Sequence, residues 1–326
     1  MQKKKTEEDL RKEKRIKQLF LMGCESSSKK RIVAIARQIL EINPNHIEAL
    51  ILRADNVKDP EVMVNDLKKA LSALDDPDNY LGKKDALFLA LNQRLAIIYT
   101  NIGDYDNAFK FCTTAIEFDE SYEDNDDDDT DYDNFFDDGS NDHNIRTRDA
   151  NNALMKAIFY KVLIMRQEWQ KILSYSLSDK QITPGRAYAK LIAVWNIAPP
   201  NNLSICANLF FDALSISPDA PFYLMKYLDE PDDKASSEAH EAYYFALLFN
   251  GALPHDDVFL SWFGRGVILF GLLSGRFKGD DFDYFVDGIE RLGGYYEYAR
   301  MKKILSATED REIIKALAEN KCLNTY

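Results

Sequence analysis

Histidine and cysteine are scarce: four of each in 326 residues. No two of His46, His143, His240 and His255 are four residues apart, so no helix face offers a histidine pair to a metal. His240-Glu241 begins like the H-E-x-x-H zinc motif, but Tyr244 stands where the second histidine is needed. There is no G-x-S-x-G and no Walker-type Gly-Lys-Ser, and Gly293-Gly294 has no strand before it to build a phosphate-cradling loop. These absences leave an enzyme without a candidate site. No catalytic residue, cofactor or metal is expected. Cys24, Cys112, Cys206 and Cys322 show no C-x-x-C spacing, and read as small apolar packing residues in a reducing compartment, which predicts a cytoplasmic protein. No apolar run reaches the 18 or more residues that suggest a membrane span. The nearest, Val258 to Ser274, holds Arg265 between Gly264 and Gly266 and reads as a buried helix. The N-terminus lacks the apolar centre of a secretory signal. No membrane partner is expected.

Positive charge is missing from one stretch. Glu117 to Asp142 holds 14 acidic residues and no Lys or Arg; taking those charges from a net of −13 leaves +1 for the rest of the chain. Such a run repels itself and buries too little apolar surface to offset its ordering entropy. The expectation is an acidic low-complexity loop over 119–148, with Tyr122, Tyr132, Phe135 and Phe136 interleaved. A calcium loop at Asn134 to Gly139 fails, because Phe136 takes a ligand place and Ile145 stands where a bidentate Glu is needed.

What the chain does contain is helical hairpins. In Leu89 to Tyr122, Leu95, Tyr99 and Ile102 recur at helical spacing with Ala96 beside them. Ala108, Cys112, Ala115 and Phe118 do the same after the turn Asn101 to Tyr105. Gly103 suits the left-handed backbone that ends a helix, and Asp104 can cap the next. The alanines are small where two helices would cross.

This unit resembles a tetratricopeptide repeat. Leu95, Tyr99, Ala108 and Ala115 match the consensus, Ala96 stands in for its Gly and Cys112 for its Phe, while Asn92 and Glu120 depart at the Trp and Pro places. Its 34 residues are the family period. The resemblance implies an all-α fold, a right-handed superhelix of α-α hairpins, and a concave groove lined by each hairpin's first helix.

Along the chain, residues 1–17 are a charged lead with pairs such as Glu7–Arg11 and Glu8–Lys12 at i, i+4, which fits a solvated helix face. Repeat one runs over about 13–46 and closes at Pro44. Repeat two covers 47–80, with Asp59 as cap and Pro60 at the first helical place. Repeat three is 89–122, so residues 1–118 form the N-terminal array. Over 149–326, a helix from Ala150 to Met165 meets a turn at Gln167-Glu168-Trp169, and repeat five (187–220) carries Phe210, Ala213 and Pro218 at consensus places. Helices follow at 238–249, 257–273, 282–293, 295–305 and 309–319. The order Pro218-x-x-Pro221, Tyr223-Leu224, Glu241-Ala242, Tyr244, Trp262 is similar to tail segments of repeat proteins of the suppressor-of-tumorigenicity-seven type, which implies a divergent helical cap.

In the family register, the groove places are Lys17 in repeat one, Ile51 and Asp55 in repeat two, Gln93, Ile97 and Asn101 in repeat three, and Tyr188, Leu191 and Trp195 in repeat five. Lys14 falls at a similar place. The family's carboxylate-clamp set is echoed only by Lys17 and Asn101, so chaperone-tail binding is not expected. For Tyr188, Leu191 and Trp195 the alternative is plain core, since aromatic stripes at helical spacing pack inward. Two functions stay open. One is a non-enzymatic scaffold binding a protein or peptide on its concave face. The other is a regulatory protein whose acidic loop takes a basic surface, as a nucleic-acid mimic or as an autoinhibitory segment over Lys3–Lys17. Direct nucleic-acid binding is not expected.

Overall fold

The computed structural model describes residues 6–123, 144–179, 182–197 and 203–274. Thirteen α-helices and no strand occur among the described residues, so the fold is all-α. The expected helices over 282–319, Cys322, the core of the acidic segment at 124–143 and Lys3–Lys5 lie outside those residues. The chain divides into two compact units, Met1–Met155 and Lys156–Tyr326.

The first unit is a run of antiparallel hairpins, each helix packing on the next. Helix α1 (Glu7–Cys24) starts in a capping box: the Asp9 N–H donates to Thr6 Oγ1 at 3.2 Å, and the Thr6 N–H donates to Asp9 Oδ2 at 2.9 Å. The expected surface pairs form, Arg11 to Glu7 at 2.7 Å and Lys12 to Glu8 at 2.8 Å. Helix α2 (Lys29–Ile42) folds back so that Ile35 and Ile39 meet Ile16 and Leu19, and Ala49 of α3 (Ile47–Ala54) joins that cluster. Asp59 and Pro60 start α4 (Pro60–Ser72) as expected, with the Glu61 N–H donating to Asp59 Oδ1 at 3.0 Å. A single 3-10 turn, Pro77–Asn79, leads to α5 (Lys84–Ile102).

The turn between α5 and α6 (Tyr105–Glu123) is the one foreseen. Gly103 has φ +80°, its N–H donates to Thr100 O at 3.3 Å, and the Asp104 N–H reaches back to Tyr99 O at 2.9 Å. That pair of bonds satisfies carbonyls the helix end would otherwise leave open. Asp104 then caps α6 through the Asn107 N–H at 3.2 Å. Leu95, Ala96, Tyr99, Ala108, Cys112 and Ala115 are all buried, and Tyr99 stacks on Phe111 with ring centroids 5.6 Å apart. Ile102 departs from the expected stripe. It is 48% exposed, because it is the last residue of α5 and no neighbour covers it there.

Both flanks of the acidic segment are helical, correcting the boundaries of the expected loop. Helix α6 continues to Glu123 with Asp119 buried, and α7 (Asn144–Met165) begins ahead of Arg148.

In the second unit, α7 turns into α8 (Trp169–Ser178) through Gln167, whose φ is 57°. The Gln167 N–H donates to Ile164 O and the Glu168 N–H to Leu163 O, the same bonding as at Gly103. Lys226 (φ 57°) repeats it a third time, after the short helix α11 (Ala220–Leu224). Helix α9 (Pro184–Ile197) follows, then α10 (Leu203–Ile216). Helices α12 (Ser237–Phe249) and α13 (Asp257–Leu273) end the described part, at the places the periodicity predicts. No helix of the described residues is long and apolar enough to cross a membrane. Cys112 and Cys206 are buried as expected, but Cys24, at the end of α1, is exposed.

Candidate interaction surface

Within the first unit, two close approaches order the first helices of the hairpins. A Cβ on Gly23 would lie 2.9 Å from Leu52 Cδ2, so glycine lets α1 come close to α3. From α5, Arg94 Nε sits 3.2 Å from both Asp55 carboxylate oxygens, and its Nη2 donates to Oδ2 at 3.2 Å. Helices α1, α3 and α5 are therefore neighbours in that order.

The candidate residues on this row differ in access. Lys17 is exposed and pairs loosely with Glu13 at 3.4 Å. Asp55 is exposed but already held by Arg94. Asn101 is exposed, and Gln93 and Ile97 are half-buried. Ile51 is only 6% exposed and belongs to the packing between hairpins.

The second-unit candidates lie elsewhere. Tyr188 and Leu191 have no exposed surface, and Trp195 keeps 6%. Tyr188 stacks on Phe245 at 5.6 Å and meets Phe263 edge-on at 6.1 Å. Trp195 lies 5.1 Å from Phe259 and 5.2 Å from Trp262, and its indole N–H donates to Asp256 Oδ2 at 3.1 Å. These three side chains are core, filled by α12 and α13. The Tyr188 hydroxyl is buried without a hydrogen-bond partner, and burial pushes its pKa up.

Several polar groups that matter here were not foreseen. Arg53 of α3 and Asp66 of α4 form a two-point ion pair, at 2.6 Å and 2.5 Å, which locks the second hairpin. Glu48, buried in the first turn of α3, accepts the backbone N–H groups of Leu81 and Gly82 on Oε1. Its other oxygen lies 3.4 Å from His46 Nδ1. His46 caps α3 from a buried place, its Nδ1 taking the Ala49 N–H at 3.4 Å. Desolvation lowers its pKa to about 4 and raises that of Glu48. No local pattern signals contacts such as Glu48 to Leu81, 33 residues on, or Arg94 to Asp55, 39 apart.

Among the described residues no group of three or more His, Cys, Asp or Glu side chains is placed to hold a metal ion. Comparison of the chain with family models, curated proteins and solved structures finds no match.

Proposed function

We propose that the chain is a non-enzymatic protein- or peptide-binding scaffold of the tetratricopeptide kind. Its hairpins would wind as a superhelix, and its working face would be the row α1, α3, α5. The observation that carries this is the ordered contact of those first helices, Gly23 against Leu52 and Arg94 against Asp55, with Lys17, Gln93, Ile97 and Asn101 left accessible on them. A photocrosslinking residue at Lys17 or Asn101 should capture one and the same partner in cells, and one at Lys69, exposed on α4 outside the row, should not. Equal capture at Lys69 would place binding elsewhere.

The second reading keeps the acidic segment as the active part, favoured by its 14 acidic residues without a basic one. Because α6 and α7 extend into its flanks, the deletion that separates the two readings removes 124–143 only. Scaffold binding survives that deletion; binding through carboxylates in place of phosphates does not, and falls with added salt.

A further inference from the structure

Between positions 14 and 40 the first hairpin carries a surplus of exposed positive charge. Lys14, Arg15, Lys17, Lys29, Lys30, Arg31 and Arg37 are all exposed, against one acidic residue between positions 14 and 40, Glu25. Of the seven, only Lys17 has an ion-pair partner among the described residues. That pair, with Glu13, is solvent-exposed and exchanges readily.

The same helix exposes leucines. While Ile16, Leu19 and Gly23 of α1 face inward, Leu10 is 54% and Leu21 62% exposed. Leu10, Lys14, Lys17 and Leu21 follow one another at spacings of four, three and four, which puts them on one helix face. The stripe reads apolar, cation, cation, apolar. Single exposed leucines are ordinary. Two that bracket a pair of lysines on the row already singled out are complementary to one particular ligand chemistry.

We propose that this α1 stripe docks a partner segment in which acidic residues are flanked by aliphatic ones. The proposal rests on the scaffold reading and names its partner class. Leu10 and Leu21 are eleven residues apart in a helix, about 16 Å at 1.5 Å per residue. An extended segment spans that with about five residues, and its alternate side chains share one face, so leucines at its first and fifth places and a carboxylate at the third meet the two leucines and the lysines between them. A nucleic acid would use the cations and leave the leucines in water, so the pattern favours a polypeptide. No C-terminal carboxylate is required.

The test uses the full chain and a fluorescent, C-terminally amidated peptide of about 12 residues with the repeat Leu-Ser-Asp-Ser, which puts Leu and Asp on the same face of an extended strand, roughly twice the span of the stripe. The peptide should bind, and weaken about tenfold or more as salt rises from about 50 to about 300 mM. Lys14→Glu with Lys17→Glu should abolish binding. Leu10→Ser with Leu21→Ser should weaken it about tenfold at unchanged salt dependence, since the apolar and ionic parts separate. All four positions are exposed, and an unchanged thermal midpoint shows that the variants fold. If an oligo-aspartate of the same length or a DNA duplex binds as tightly as the Leu-Asp peptide, or the leucine variant binds as the parent does, the proposal is wrong and the hairpin is a general polyanion surface. Because crosslinking at Asn101 does not depend on the stripe, it can still succeed when the peptide test fails, which separates the two ideas.

Discussion

Acidification from pH 7 towards pH 4 should destabilise the first unit through one side chain, His46. The ring is 2% exposed at the start of α3 and its Nδ1 accepts the Ala49 N–H, a role that requires that nitrogen to be unprotonated. Burial lowers its pKa from 6.5 to about 4. The unfolded chain therefore takes up a proton below about pH 6.5, while the folded chain resists it until about pH 4. A depressed histidine leaves stability intact above 6.5 and removes it progressively as pH falls through that window. The gap amounts to about 3 kcal/mol when fully expressed. Glu48, 3.4 Å away, works in the opposite direction. Desolvation raises its pKa despite the two backbone N–H groups it accepts, so the folded state binds that proton more readily than the unfolded state and gains stability as pH drops. The His46 contribution is isolated by comparing the parent with His46→Asn, which keeps a capping acceptor and loses the titration. All three tryptophans, Trp169, Trp195 and Trp262, lie in the second unit. Their fluorescence in urea is thus an internal control, and amide exchange in α3 and α5 reports the first unit. The stability difference between parent and variant should shift by about 3 kcal/mol in favour of the variant between pH 7 and pH 4. A difference that stays constant with pH refutes the argument.

Glu48→Ala should cost about 2–4 kcal/mol because it strands the buried N–H groups of Leu81 and Gly82, whereas Glu48→Gln, which keeps an acceptor, should cost far less; equal losses by amide exchange would mean the contact is incidental. Ala108→Leu should overpack the α5–α6 crossing, where Ala108 has no exposed surface, and cost about 1–3 kcal/mol in the melting of the first unit. Gly185→Ala puts a Cβ 2.8 Å from the Ala157 Cα, a backbone atom that cannot swing aside, so the tryptophan-monitored urea midpoint should fall by a similar free energy of about 1–3 kcal/mol. An unmoved midpoint there would mean α7 and α9 can part without cost.

The hairpins were legible because their signals are local. Gly103-Asp104 and Asp59-Pro60 each specify a turn within a few residues, and the alanine seam of α5 and α6 is a periodicity. The turn at Gln167 was legible for a different reason: Gln167-Glu168-Trp169 interrupts the helical pattern that ends at Met165, although glycine is absent. Ile102 was misplaced because a periodic stripe continues past the point where a helix stops having a neighbour. The face taken by Tyr188, Leu191 and Trp195 was undecidable from spacing alone. Their partners Phe245, Phe259, Trp262 and Phe263 come from helices much later in the chain, and a register position says which way a side chain points but not what the chain brings there.

That last point explains why equivalent register places are open in one unit and filled in the other. A buried aromatic side chain covers about 150–250 Å², and at about 25 cal/mol per Å² each is worth several kcal/mol. With Tyr188, Leu191 and Trp195 in a row on α9, exposure would cost on the order of 10 kcal/mol, and α12 and α13 cover them with aromatic side chains of their own. On α1, α3 and α5 the corresponding places hold, beside buried Ile51 and half-buried Ile97, the polar Lys17, Asp55, Gln93 and Asn101, whose burial would cost desolvation instead. Polar groups at these places favour an uncovered row, and aromatic groups favour one closed by the chain's own helices. Replacing Gln93 and Asn101 by aromatic residues should therefore make the first unit self-associate, detectable by light scattering, whereas a monomer at all concentrations would show that side-chain chemistry does not decide which rows stay open.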